Sequence, residues 1–64
     1  QPERSELMTL DEAVDRFEAA KTRETAMELQ RTARHYHADG MIADITLANY
    51  LAATRRVLKA LAQQ

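Results

Sequence analysis

The one cluster of ligand-capable side chains in this 64-residue chain is His35-Tyr36-His37-Ala38-Asp39. His35 and Asp39 stand at i and i+4, so on a helix they share a face, a spacing that can supply two corners of a metal site. Two corners are too few: catalytic sites take three protein ligands and structural ones four. His37 lies about 160° round the helix from that face, and the chain has no cysteine to add a thiolate. The cluster is therefore read as structural, with His35 solvated near a helix C-terminus and His37 at the margin of an apolar stripe. No metal and no other cofactor is expected.

Other catalytic arrangements are equally thin. Ser5 falls in an aperiodic lead-in, and Gly40 is the only glycine, so there is no glycine-rich loop to cradle a phosphate. Asp11, Glu12, Asp15 and Glu18 fall mostly on the outward side of one helix. Paired-carboxylate catalysis needs a cleft, and a short helical chain has little room to enclose one. The chain is read as no enzyme, with no small-molecule ligand in view.

What, then, positions these residues? One glycine and one proline among abundant Ala, Leu, Glu, Arg and Lys favour helix over sheet. Thr9-Leu10-Asp11-Glu12 has the form of a capping box. Leu10, Ala13, Val14, Phe17 and Ala20 follow at i, i+3, i+4, i+7 and i+10 as one apolar stripe. Continuing that phase would place Glu24 and Glu28 in the stripe, so the register must reset near Lys21-Thr22-Arg23, with Thr22 as a new N-cap. A second helix over 23–39 then lines up Ala26, Leu29, Ala33 and Tyr36, and Gly40 sits where a left-handed C-cap is favoured. Beyond it, Asp44 is read as the next N-cap. Leu47, Tyr50, Leu51, Thr54, Val57, Leu58 and Leu61 then occupy an arc of about 120° on a third helix. The expected fold is all-α: two to three short helices with a hairpin across Gly40. Residues 1–8 form a flexible leader and 9–64 a single small helical domain. Since the chain opens on Gln1, it is read as processed or excised, with Met8-Thr9-Leu10-Asp11 as a candidate native start.

Twenty-nine residues are apolar, but twelve of them are alanine, leaving seventeen larger side chains for three helices. A chain this short buries only about 60% of its unfolded surface. The bundle is accordingly expected to be completed by self-association or by a partner. No apolar run approaches the roughly 20 residues of a membrane span, and the lack of cysteine gives no sign of an oxidising compartment. The cytoplasm is the expected location.

Charge is unevenly spread. Residues 1–28 carry eight acids and four bases, whereas residues 29–64 carry two acids and five bases. Either the acidic first helix lies against the basic ends of the hairpin, or the bases face something else. On the third helix Ala48, Ala52, Arg55 and Lys59 make a second stripe beside the apolar arc, where small residues admit a close neighbour and Arg55/Lys59 repel each other unless an acid faces them. Leu47, Tyr50, Leu51, Ala52, Arg55, Leu58 and Lys59 are therefore the candidate partner-binding residues. The function expected is a non-catalytic adaptor, docking or assembly module that presents amphipathic helix faces to a protein partner or a second copy, in a homodimer or coiled-coil-like contact. The alternative is a small nucleic-acid-associated regulator using Arg31, Arg34, Arg55, Arg56 and Lys59. Net charge −1 and the lack of aromatics among those bases make nucleic acid the weaker expectation. A third reading, a piece of a larger enzyme or secretion component, rests on the first residue alone.

Overall fold

A computed structural model describes residues 8–63, so the leader assigned to 1–8 lies outside the described residues except for Met8. Three helices follow in order: α1 Leu10–Ala19, α2 Arg23–Ala38 and α3 Asp44–Ala62. Helix makes up 80% of the structure, and among the described residues there is no strand. The expected all-α class and the hairpin across Gly40 are what the chain adopts.

Each boundary has a local cause. Thr9 caps α1 reciprocally: its hydroxyl accepts from the Glu12 N–H at 3.1 Å, and Glu12 accepts from the Thr9 N–H at 3.1 Å. Met8 is half-buried against the same cluster as Ala13, so the packed part begins one residue earlier than the sequence suggests. The break after α1 uses neither glycine nor proline. Ala20 turns extended at φ −148°, and Thr22 and Thr25 cap each other. The Thr25 hydroxyl also donates back to the Ala20 carbonyl, closing the turn. At the far end of α2, Gly40 takes φ +77°. The Met41 N–H reaches the Tyr36 carbonyl at 2.9 Å and the Gly40 N–H reaches that of His37 at 3.0 Å, the Schellman pattern that ends a helix on a left-handed residue. Asp39 is the C-cap, so α2 ends one residue short of expectation. Asp44 is not the N-cap of α3. Ala43 holds that place with no side-chain bond, and Asp44 is the first helical residue, its carboxylate turned to His37.

α2 packs along both other helices, whereas α1 and α3 do not approach one another at backbone level. The result is flattened, 36 × 30 × 15 Å. The buried apolar residues are Ala13 and Phe17 of α1 with Ala26, Leu29 and Ala33 of α2. Tyr50, Ala53, Val57 and Leu58 of α3 lean on this cluster half-exposed. The only fully buried residue of α3 is polar: Thr54, whose hydroxyl donates to the Leu51 carbonyl at 2.9 Å and accepts from Gln30 Nε2 at 2.8 Å. Both capacities of that hydroxyl are used, which is what makes its burial tolerable.

Candidate partner-docking face

The α2–α3 hairpin runs antiparallel, as the cross-pairs Gln30–Thr54 and His37–Asp44 require. Toward its open end Arg23 and Met27 of α2 line a groove with Leu58, Leu61 and Ala62 of α3. Helical phase extends both walls. Arg23, Met27, Gln30 and Arg34 recur at i, i+4, i+7 and i+11, and so do Leu51, Arg55, Leu58 and Ala62. A shallow depression over Met27, Gln30, Arg31 and Arg34 continues the surface along α2. The face so formed has an apolar floor of Met27, Leu51 and Leu58, with Arg23, Arg34 and Arg55 around it. Met27 is 49% exposed, a large apolar side chain left in water.

The carboxylates near this face are engaged or set aside. Glu28 lies further round α2, where Arg16 of α1 donates to both its oxygens, Nε at 2.9 Å and Nη2 at 3.2 Å. Glu28, first through that hydrogen bond and then through its charge, holds the Arg16 guanidinium above its ordinary value. Glu24 lies on that same side. Asp44, at the far end of the α3 wall, stands 2.5 Å from His37 Nε2. Arg23, Arg34 and Arg55 are exposed and have no carboxylate within ion-pair distance among the described residues.

The structure divides the seven candidate residues of the third helix among three surroundings. Tyr50 turns into the core cluster. Leu47, Leu51 and Leu58 are half-buried; Leu58 lines the groove, and by helical phase Leu51 and exposed Arg55 stand on the same flank. Ala52 and Lys59 are exposed further round the helix, away from the groove. Tyr50 apart, these residues follow one another round the helix by phase, from half-buried Leu47 to exposed Ala52. Of the α2 contribution, Arg23, Met27 and Gln30 are missing from the sequence reading, and Arg34 enters it only with the nucleic-acid alternative. The signal was present as an i, i+4, i+7, i+11 series, but attention to the buried stripe of α2 hides a mixed Arg–Met–Gln stripe beside it.

Two further expectations meet the geometry. The ion pair joining α1 to the hairpin is Arg16–Glu28, a base of α1 on an acid of α2, and no α1 carboxylate meets a hairpin base among the described residues. The expected pairing of α1 acids with hairpin bases is thus not made among the described residues, and α1 does not approach α3, which carries three of those bases, at backbone level. His35 is exposed as expected, and His37 is half-buried but bonds across the hairpin turn to Asp44. Among the described residues no three His, Asp or Glu gather as a metal would require, and no helix is long and apolar enough to cross a membrane. Comparison with protein-family models, curated proteins and solved structures gives no match to this chain.

Proposed function

We propose that this chain is a small helical docking module of the cytoplasm, which acts by offering its α2–α3 face to another polypeptide and carries no catalysis of its own. One observation carries the reading: Met27 and Leu58 line an open groove beside Arg23, with Leu51, Arg34 and Arg55 on the same two flanks by helical phase, and among the described residues those three arginines meet no carboxylate within ion-pair distance. Apolar side chains at the centre and arginine around them is the composition of protein-binding surfaces, where arginine and large apolar anchors dominate. The nucleic-acid alternative, built on Arg31, Arg34, Arg55, Arg56 and Lys59, shares Arg34 and Arg55 with this face. It lacks a stacking platform, since Tyr50 is committed to the core and Tyr36 is half-buried on the α2 stripe opposite the arginines.

The test pairs two titrations of the whole chain. Duplex and single-stranded DNA are added at about 150 mM salt, where a protein-docking face gives no submicromolar binding. In parallel, methyl resonances are followed while small apolar probes such as phenol are added. Shifts are expected to concentrate on Met27, Leu51 and Leu58. Shifts centred instead on exposed Met41 and Ile45 would move the site, and tight DNA binding abolished by Arg23→Ala, Arg34→Ala and Arg55→Ala would transfer the reading to nucleic acid.

A further inference from the structure

We infer that the occupant of the α2–α3 face is an amphipathic helix of a different protein, with an apolar stripe flanked by Asp and Glu; this rests on the docking reading above and adds the chemistry of the partner. Shape comes first. Two antiparallel helices side by side leave a furrow along their length, with Arg23 opposite Ala62, Met27 opposite Leu58 and Gln30 bonded to Thr54. A third helix lying there meets apolar side chains below and cations along its sides, which is helix-in-groove recognition.

Charge then fixes the sign. Three guanidiniums surround the floor, and among the described residues Glu28 is held by Arg16, Asp44 by His37, and Glu24 lies on the α1 side, where its charge acts on Arg16. Guanidinium pairs with carboxylate in a planar, two-bond geometry, so an incoming Glu or Asp gains both orientation and attraction. A lysine-flanked helix of equal apolarity meets only repulsion.

A second copy does not satisfy both requirements. Face against face, it brings six guanidiniums into one contact, with Asp44, already held by His37, as the only carboxylate on the walls. The acidic outer side of α1 offers Asp11, Asp15 and Glu18, all exposed, but its large apolar residues, Leu10, Val14 and Phe17, are turned into its own core. It supplies charge without anything to cover Met27 and Leu58. Nucleic acid fails on the same count, since a phosphate backbone has no apolar stripe.

The experiment uses the full chain and three fluorescein-labelled helical peptides of about 16 residues, the length of α2. One carries Leu at i, i+4, i+7 and i+11 with Glu beside them; the second replaces every Glu by Lys; the third keeps Glu and replaces every Leu by Gln. Anisotropy is expected to show micromolar binding of the first and binding weaker by roughly tenfold or more for the other two. In the triple variant Arg23→Glu, Arg34→Glu, Arg55→Glu the preference should invert toward the lysine peptide. Leu58→Asp should remove binding of both, with circular dichroism confirming that the helices persist. If the triple variant fails to fold, Arg23→Gln with Arg55→Gln should still narrow the gap between the Glu and Lys peptides.

Equal binding of the Glu and Lys peptides overturns the inference. So does the absence of peptide binding in a chain that sediments as a dimer and becomes monomeric on Leu58→Asp, although the docking face itself then stands with a second copy as occupant. Absence of peptide binding in a monomer whose methyl groups on this face also ignore the small probes overturns the docking reading as well.

Discussion

α1 and α3 lean on the same central helix, yet they are held in different ways. α1 has only 10 residues, too few to persist alone in water. It compensates with Ala13 and Phe17 fully in the core, a reciprocal cap at Thr9 and a two-bond ion pair from Arg16 to Glu28. α3 has 19 residues and a longer apolar arc, but it buries one side chain, the threonine at 54, and begins without a side-chain cap. Length and apolar content do not decide burial. At backbone level α1 and α3 each meet α2 alone; what differs is where the large side chains fall, Phe17 of α1 inside the buried cluster and the leucines of α3 along the margin of the contact. The short helix spends its apolar side chains on the fold, and the long one keeps Leu51, Leu58 and Leu61 half-open to water.

The sharpest way to break this comparison is a pair of truncations. Phe17→Ala should cost about 3–5 kcal/mol, the range for a large buried aromatic. Leu58→Ala should cost about 1–2 kcal/mol, below the 2–5 of a fully buried leucine, because part of its surface is already in water. The same half-burial lowers the figure for Leu51→Ala from the core value that the periodic arc alone suggests. Urea midpoints with unchanged slopes would measure all three. Equal losses at Phe17 and Leu58 would mean that α3 is as firmly committed to the fold as α1, and the spare surface would vanish with the distinction.

A smaller effect probes the polar contact that ties α3 to α2. Thr54→Val keeps the volume but removes the acceptor of Gln30 Nε2, and leaving that amide short of a partner should cost about 1–2 kcal/mol. Adding Gln30→Leu should recover much of the loss, since replacing both partners by apolar groups of similar shape is nearly neutral. A double-mutant cycle that shows no coupling would assign Thr54 to the bond with its own Leu51 carbonyl alone.

How far this was legible depends on the kind of signal. Thr9-x-x-Glu12, the carboxylate conflict at Glu24 and Glu28, and Gly40 are local, and each marked its boundary to within a residue. The role of Thr25 was not legible, because a threonine three places after a capping threonine is ordinary until its hydroxyl is seen reaching back to Ala20. The groove was half legible. Periodicity along α3 gave the apolar arc that includes Leu51 and Leu58. The opposite wall depends on which flank of α2 runs beside it, and that follows from how two helices cross, which no single-helix period contains. The partner of Asp44 was missed for a similar reason: its pairing with His37 bridges a turn, so its spacing matches neither helical neighbour pattern.

The smallest effect concerns the helix starts, and it has opposite signs on the two sides of the molecule. Thr9→Ala and Thr22→Ala each remove an oxygen that accepts a free N–H, at a cost of about 1 kcal/mol. Ala43 occupies the equivalent place before α3 with nearly the same backbone, φ −80° and ψ 164° against φ −71° and ψ 159° at Thr9. Its carbonyl already accepts from the Leu47 N–H at 3.0 Å, so the first helical bond is made. Asp44 supplies a favourable charge at this positive end but turns its carboxylate to His37 instead of capping. A serine at 43 would offer its hydroxyl to the Thr46 N–H with no change of backbone. Ala43→Ser should therefore stabilise the fold by about 0.5–1 kcal/mol, seen as a rise of about 2–8 °C in melting temperature for a domain this small. Adding the substitution to Leu58→Asp should give the same gain, because the two sites lie at opposite ends of α3 and share no partner. A gain that appears in one background and not in the other would mean that α3 responds as a single unit, and that its exposed leucines and its uncapped start are two signs of one loosely held helix.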